Sequence, residues 1–216
     1  EIGVRLVGSE MCIRDSISGV GGSYARQQYD NAYQTVKELQ ECISIYITKL
    51  FSSGMLTEQQ SEQTAGFLFV TNNIDRIADR CADIAAASDD MQLHGKELSD
   101  KAVAELRQCI EIAQNLFTES MDSVINGDSA EAEIVIKNRG KMRKAQKKNT
   151  KAHLNCVEKK ICDPALTQAY SSILYNLDRV ADNCVSIAEE TMDGVVFVKL
   201  EEEQMEEMKL ELEAAV

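Results

Sequence analysis

The sequence predicts an all-α protein arranged as antiparallel, up-and-down helical bundles, and three observations predict it. The composition leans on Ala, Glu, Lys, Leu and Gln, with one proline and no tryptophan in 216 residues. Apolar residues recur at three- and four-residue steps, the spacing of a helix face rather than of a strand. A thirteen-residue helical pattern, Asn73 to Ala85, returns as Asn176 to Ala188 with eight identities at a constant offset of 103, which marks a structural repeat.

The first helix is expected from Tyr24 to Ser53, with Val36, Leu39, Ile43, Tyr46 and Leu50 on its apolar stripe and Gly54 as its stop. Thr57 followed by Gln60 is a capping-box signal for the second helix. Its stripe runs Phe67, Val70, Ile74, Ile77, Cys81, Ile84, and it is expected to fade after Ser88 into a polar linker, Asp89 to Gly95. Ser99 or Asp100 caps a third helix with the stripe Val103, Leu106, Ile110, Ala113, Phe117, Met121, Val124, closed by Asn126-Gly127. Asp128 with Glu131 opens a fourth, reaching about Lys160. Asp163-Pro164, an N-cap ahead of a first-position proline, then opens a fifth that ends near Met192. The tail, Val195 to Val216, starts β-branched and becomes acidic.

Residues Leu6 to Ser16 resemble one reading frame of a sequencing-library adapter, so 1–16 are set aside as a translation artefact. They lack the apolar run, amphipathic face and cleavage site of a natural leader. Apolar runs such as Val195 to Val198 fall far short of the roughly 20 residues needed to span a bilayer, so the chain as given reads as soluble. A net charge of −13 disfavours nonspecific binding to nucleic acid or anionic lipid and favours cations or basic partners. The seven cysteines include no C-x-x-C pair and no disulfide-framework spacing, which suits a reducing compartment.

In each repeat two aspartates stand four residues apart, Asp75 with Asp79 and Asp178 with Asp182, one helical turn above one another and away from the Ile/Val/Cys stripe. Like charges at this spacing destabilise a helix unless something positive compensates. A metal ion could do so, since paired carboxylates supply the oxygen ligands of magnesium, calcium, manganese or iron. Arginine or lysine could do so equally, and water-facing carboxylates need neither. The helix before the second motif carries Lys137, Arg139, Lys141, Arg143, Lys144, Lys147, Lys148 and Lys151, with no carboxylate between Glu133 and Glu158. That run reads as a solvated face, as an internal counter-charge for Asp178 and Asp182, or as a docking strip for an acidic protein or lipid head groups.

The doubled motif resembles the signature of the PhoU family, an acidic residue followed four positions later by aspartate, in a Leu/Asn-Glu/Asp-Arg-Ile/Val-x-Asp-His context, once per three-helix repeat. Ile47-Thr48-Lys49-Leu50, Cys162-Asp163-Pro164 and the Asp182-x-Cys184 ending resemble segments of the PhoU-like regions attached to bacterial sodium/phosphate cotransporters. The resemblance covers about Tyr24 to Met192. It implies tandem three-helix bundles: a partial first repeat over 17–88 that lacks its first helix, a second over 96–192, and an acidic tail over 193–216, helical or disordered. It further implies a non-catalytic regulator of phosphate uptake at the cytoplasmic face of the inner membrane. The leading form is the cytoplasmic part of a sodium-dependent phosphate cotransporter, acting on its membrane domain in cis; the alternative is a free-standing adaptor for a phosphate transport complex and its sensor kinase. Membrane contact is expected only through the missing upstream region, an oligomer is open, and divalent or iron ions are the cations expected at Asp75, Asp79, Asp178 and Asp182.

Three departures weigh on the metal expectation. Aspartate stands where the family commonly has glutamate at 75 and 178, the family's frequent histidine is Arg80 or Asn183, and the basic helix removes the carboxylates expected opposite the second motif. Enzyme classes fare worse. A di-iron oxidase needs Glu-x-x-His pairs, but Met91 precedes His94 and Thr150 precedes His153 at that spacing. There is no Gly-x-Ser-x-Gly, and no glycine-rich phosphate loop ending in Lys-Ser/Thr. A plain coiled-coil scaffold is weakened by caps that interrupt the heptads.

Overall fold

The computed structural model describes residues 22–93 and 98–197, all of them helix, turn or coil. Five long α-helices follow one another: α1 (Gly22–Ser53), α2 (Glu58–Leu93), α3 (Asp100–Asn126), α4 (Ser129–Glu158) and α5 (Thr167–Met192), the last entered through a 3-10 turn at Pro164–Leu166. The adapter-like segment, His94 and the tail from 198 onward lie outside the described residues.

Local chemistry sets the helix ends. Thr57 and Gln60 cap α2 reciprocally: the Gln60 amide donates to Thr57 Oγ1 at 3.2 Å, and the Thr57 amide donates to Gln60 Oε1 at 2.9 Å. Ser99 accepts from the Ala102 amide at the start of α3, and Asp128 accepts from the Ala130 and Glu131 amides at the start of α4. Gly127 between them sits at φ 67°, a left-handed turn that a side chain would strain. Asp163 caps the short 3-10 turn, so the chain makes one tight turn before α5 begins rather than entering it directly.

α5 is the organising element, packing against α2, α3 and α4, while α3 and α4 pack on each other and α1 lies on α2. The core gathers Leu106, Ile110 and Phe117 of α3, Val135 and Met142 of α4, Tyr170, Ile173, Leu174 and Ile187 of α5, and Val70, Ile77 and Ile84 of α2. The two motif-bearing helices, α2 and α5, are therefore direct neighbours.

Four sequence expectations change. α2 continues to Leu93 instead of fading after Ser88, because Met91 is drawn into the core and Asp89 ion-pairs with Arg26 of α1. The buried positions of α1 are Tyr29, Val36 and Ile47, and Tyr46 is half exposed; the stripe is rotated toward α2, its packing partner. Cys156 and Cys162 are disulfide-bonded across the reversal that ends α4, where Ile161 and Cys162 amides both donate to the Cys156 carbonyl and Lys160 takes a left-handed φ of 57°. A bond over six residues of turning chain has no framework spacing to announce it. Finally, Val195 to Phe197 form a non-helical strap: Val195 is buried beside Gly66 of α2, and the Phe197 amide donates to the Val124 carbonyl at 2.8 Å.

Candidate functional site: two acid pairs, each closed by a base

In α2, Asp75 and Asp79 project toward α1, where Lys37 reaches between them. Its Nζ lies 2.8 Å from Asp75 Oδ1 and 2.7 Å from Asp79 Oδ1. The Tyr33 hydroxyl, one turn before Lys37, donates to Asp79 at 3.0 Å, and the ammonium also lies 5.5 Å from the Tyr33 ring centre. Burial works against charge on Lys37, but contact with both carboxylates outweighs it and pushes its pKa up to about 12.

The second motif repeats this design with a stronger base. Arg139 of α4 places Nη1 2.8 Å from Asp178 Oδ1, while Nε and Nη2 lie 2.6 and 2.5 Å from Asp182 Oδ1. Arg179 contributes from the motif itself, its Nη2 lying 3.1 Å from Asp178 and 2.9 Å from Asp182. Asp178 is buried, which alone would raise its pKa; the two guanidinium groups more than offset this and hold the carboxyl below the usual range. Arg139 is shifted upward for the same reason, its own burial outweighed by the two aspartates.

Lys37 and Arg139 hold corresponding places, 38 residues before Asp75 and 39 before Asp178, each on the helix preceding its motif helix. Arg139 is set apart from its seven basic neighbours by phase. The buried positions of α4 run Ala132, Val135, Arg139, Met142, Asn149, His153, and of the eight bases only Arg139 falls in that row. The row was readable from the sequence. For Lys37 the signal was weaker: it follows Tyr33 by four residues, on the side of α1 turned to α2.

The motifs also touch one another. Asn73 and Asn176, which open the two copies, are buried and donate back to the Phe69 and Ser172 carbonyls. Arg80, in the place of the family's histidine, reaches from α2 to Asn176 Oδ1 of α5 at 3.4 Å and to Asp83 at 3.1 Å.

At both motifs the charge of the two carboxylates is met by protein bases, Lys37 at the first and Arg139 with Arg179 at the second. No group of three or more His, Cys, Asp or Glu suited to an ion gathers among the described residues. His153 is buried, stacked on Tyr170 with ring centres 4.4 Å apart and 3.2 Å from Thr167 Oγ1, away from both motifs in contact. Cys81 and Cys184 are buried core thiols.

Comparison with known proteins agrees with this architecture. The family model of the PhoU domain matches residues 106–191. No curated protein matches the sequence significantly. The crystal structure of PhoU from Pseudomonas aeruginosa superposes with a TM-score of 0.80 at 14% identity, covering 88% of this chain and 90% of that one. That of the phosphate transport system regulatory protein PhoU from Streptococcus pneumoniae gives 0.67 at 15% identity, covering 89% and 92%. A PhoU-domain match thus covers residues 106–191, and over 88% of the chain the fold is similar to that of a PhoU structure.

Proposed function

We propose that this chain is a non-catalytic regulatory adaptor of phosphate uptake, acting at the cytoplasmic face of the inner membrane by docking its helical surface on a phosphate transport complex. The observation that carries this reading is the PhoU domain match seated in a PhoU-like fold. The free-standing form is favoured over a cotransporter appendage because the two similar structures compared are PhoU proteins, the second a phosphate transport system regulatory protein. In this reading the aspartate pairs are structural. Lys37 and Arg139 fix α1 on α2 and α4 on α5, so that a change at one helical face reaches the other through the α2–α5 contact.

The cotransporter reading keeps one favouring feature, the Ile47-Thr48-Lys49-Leu50 and Cys162-Asp163-Pro164 segments, and it requires membrane spans in frame upstream. Among the described residues, no helix is long and apolar enough to cross a membrane. Tagging the gene in its source organism and purifying the product tests both forms. Recovery of phosphate-transporter subunits with a separate chain supports the adaptor; a single polypeptide carrying membrane spans supports the cotransporter; a product bound to no transport protein would contradict a role in phosphate uptake.

A further inference from the structure

The eight bases of α4 divide into one that is buried against the second motif and seven that are not. Lys137, Lys141, Lys144, Lys148 and Lys151 are all exposed, and their four- and three-residue steps place them on one stripe about 21 Å long. Arg143 and Lys147 stand exposed beside it. Lys137 pairs with Glu133 at 2.7 Å; the others make no ion pair with a described residue. At each end the charged stripe meets exposed aliphatic side chains, Ile134 (49% exposed) and Ile136 before it and Leu154 (47%) after it.

We infer that the outer face of α4 is a docking surface for an anionic lipid bilayer. A straight row of lysines with aliphatic side chains at both ends matches head-group charge along its length and can sink apolar groups into the interface. Lysine predominates over arginine six to one in the exposed set. Compact charges on flexible stems suit a diffuse anionic surface, whereas planar arginine forks suit the fixed carboxylates of a protein partner. The chain's charge of −13 does not cancel the attraction, because exposed charges are largely screened beyond a Debye length of about 8 Å, and α4 carries no carboxylate between Glu133 and Glu158. This contact adds to any made through an upstream region and does not depend on the transporter reading.

Flotation of the full chain with vesicles tests it. The chain is expected to float with equal parts phosphatidylcholine and phosphatidylglycerol, not with phosphatidylcholine alone, and to be released by salt. K144E/K148E should weaken binding at least about tenfold, while K49E/K101E, matched in charge but placed on α1 and α3, should leave it within about twofold. If the reversed pair perturbs helicity, K144Q/K148Q serves in its place, with a smaller loss in the same direction. Equal loss from both charge-reversal pairs, or failure of the wild-type chain to float with anionic vesicles, would overturn the proposal. Retention on immobilised poly-glutamate without vesicle binding would also overturn it, assigning the strip to an acidic protein.

Discussion

The Arg139 guanidinium lies 2.8 Å from the Asp178 carboxylate, and both side chains are only 11% exposed. An ion pair so far from water contributes little net stability by forming, but removing one partner leaves the other charge stranded. Arg139→Met should therefore destabilise the fold by about 3–5 kcal/mol in urea denaturation, since Asp178 and Asp182 would face one another with Arg179 alone. A loss below about 1 kcal/mol would mean that the pair is not buried in solution.

Lys37 makes the corresponding contacts in a wetter place, 30% exposed between carboxylates exposed by 21% and 44%. Lys37→Met is expected to cost about 1 kcal/mol in the same assay, well under the Arg139 variant, because solvent already screens this pair.

The contrast between these two sites also marks where the sequence was legible. Helix number, caps and most of the core were written locally: Thr57 with Gln60, Asp128 with its two amides and Gly127 each act within a few residues. The aspartate pairs were legible as sites needing a cation, but their partners lie on other helices, and a run of eight bases hides the one that turns inward. Phase with Val135 and Met142 picks out Arg139. The Cys156–Cys162 bond and the Val195–Phe197 strap follow from how the chain turns back on packed helices, which no local spacing encodes. The rotated stripe of α1 has the same origin: apolar identity alone did not say which side α2 would cover.

The strap gives a packing prediction. A methyl group at residue 66 would run into the Val195 side chain, so Gly66→Ala should cost about 1–3 kcal/mol by overpacking despite improving helix propensity. Pairing it with Val195→Ala should recover most of the loss, which thermal denaturation of the single and double variants would show.

Acid should weaken the fold in two steps. Burial lowers the His153 pKa from its ordinary 6.5, outweighing the opposing Glu105 charge, so the unfolded chain binds the proton first and stability declines as pH falls below about 6.5. Asp178 also has a depressed folded pKa; its contribution is present above the ordinary 3.8 and is lost as pH drops through the lower folded value. His153→Phe, which keeps a ring against Tyr170, should flatten the first decline and leave the second. Urea midpoints across pH would check both, and an unchanged first decline would remove His153 as its source.

Phosphate uptake in the source organism tests the central claim most directly. Deleting the gene should change the rate of phosphate uptake, and re-expressing the chain should restore the original rate. Uptake that is unchanged by the deletion, measured with radiolabelled phosphate in replete and starved cells, would contradict a role in phosphate regulation.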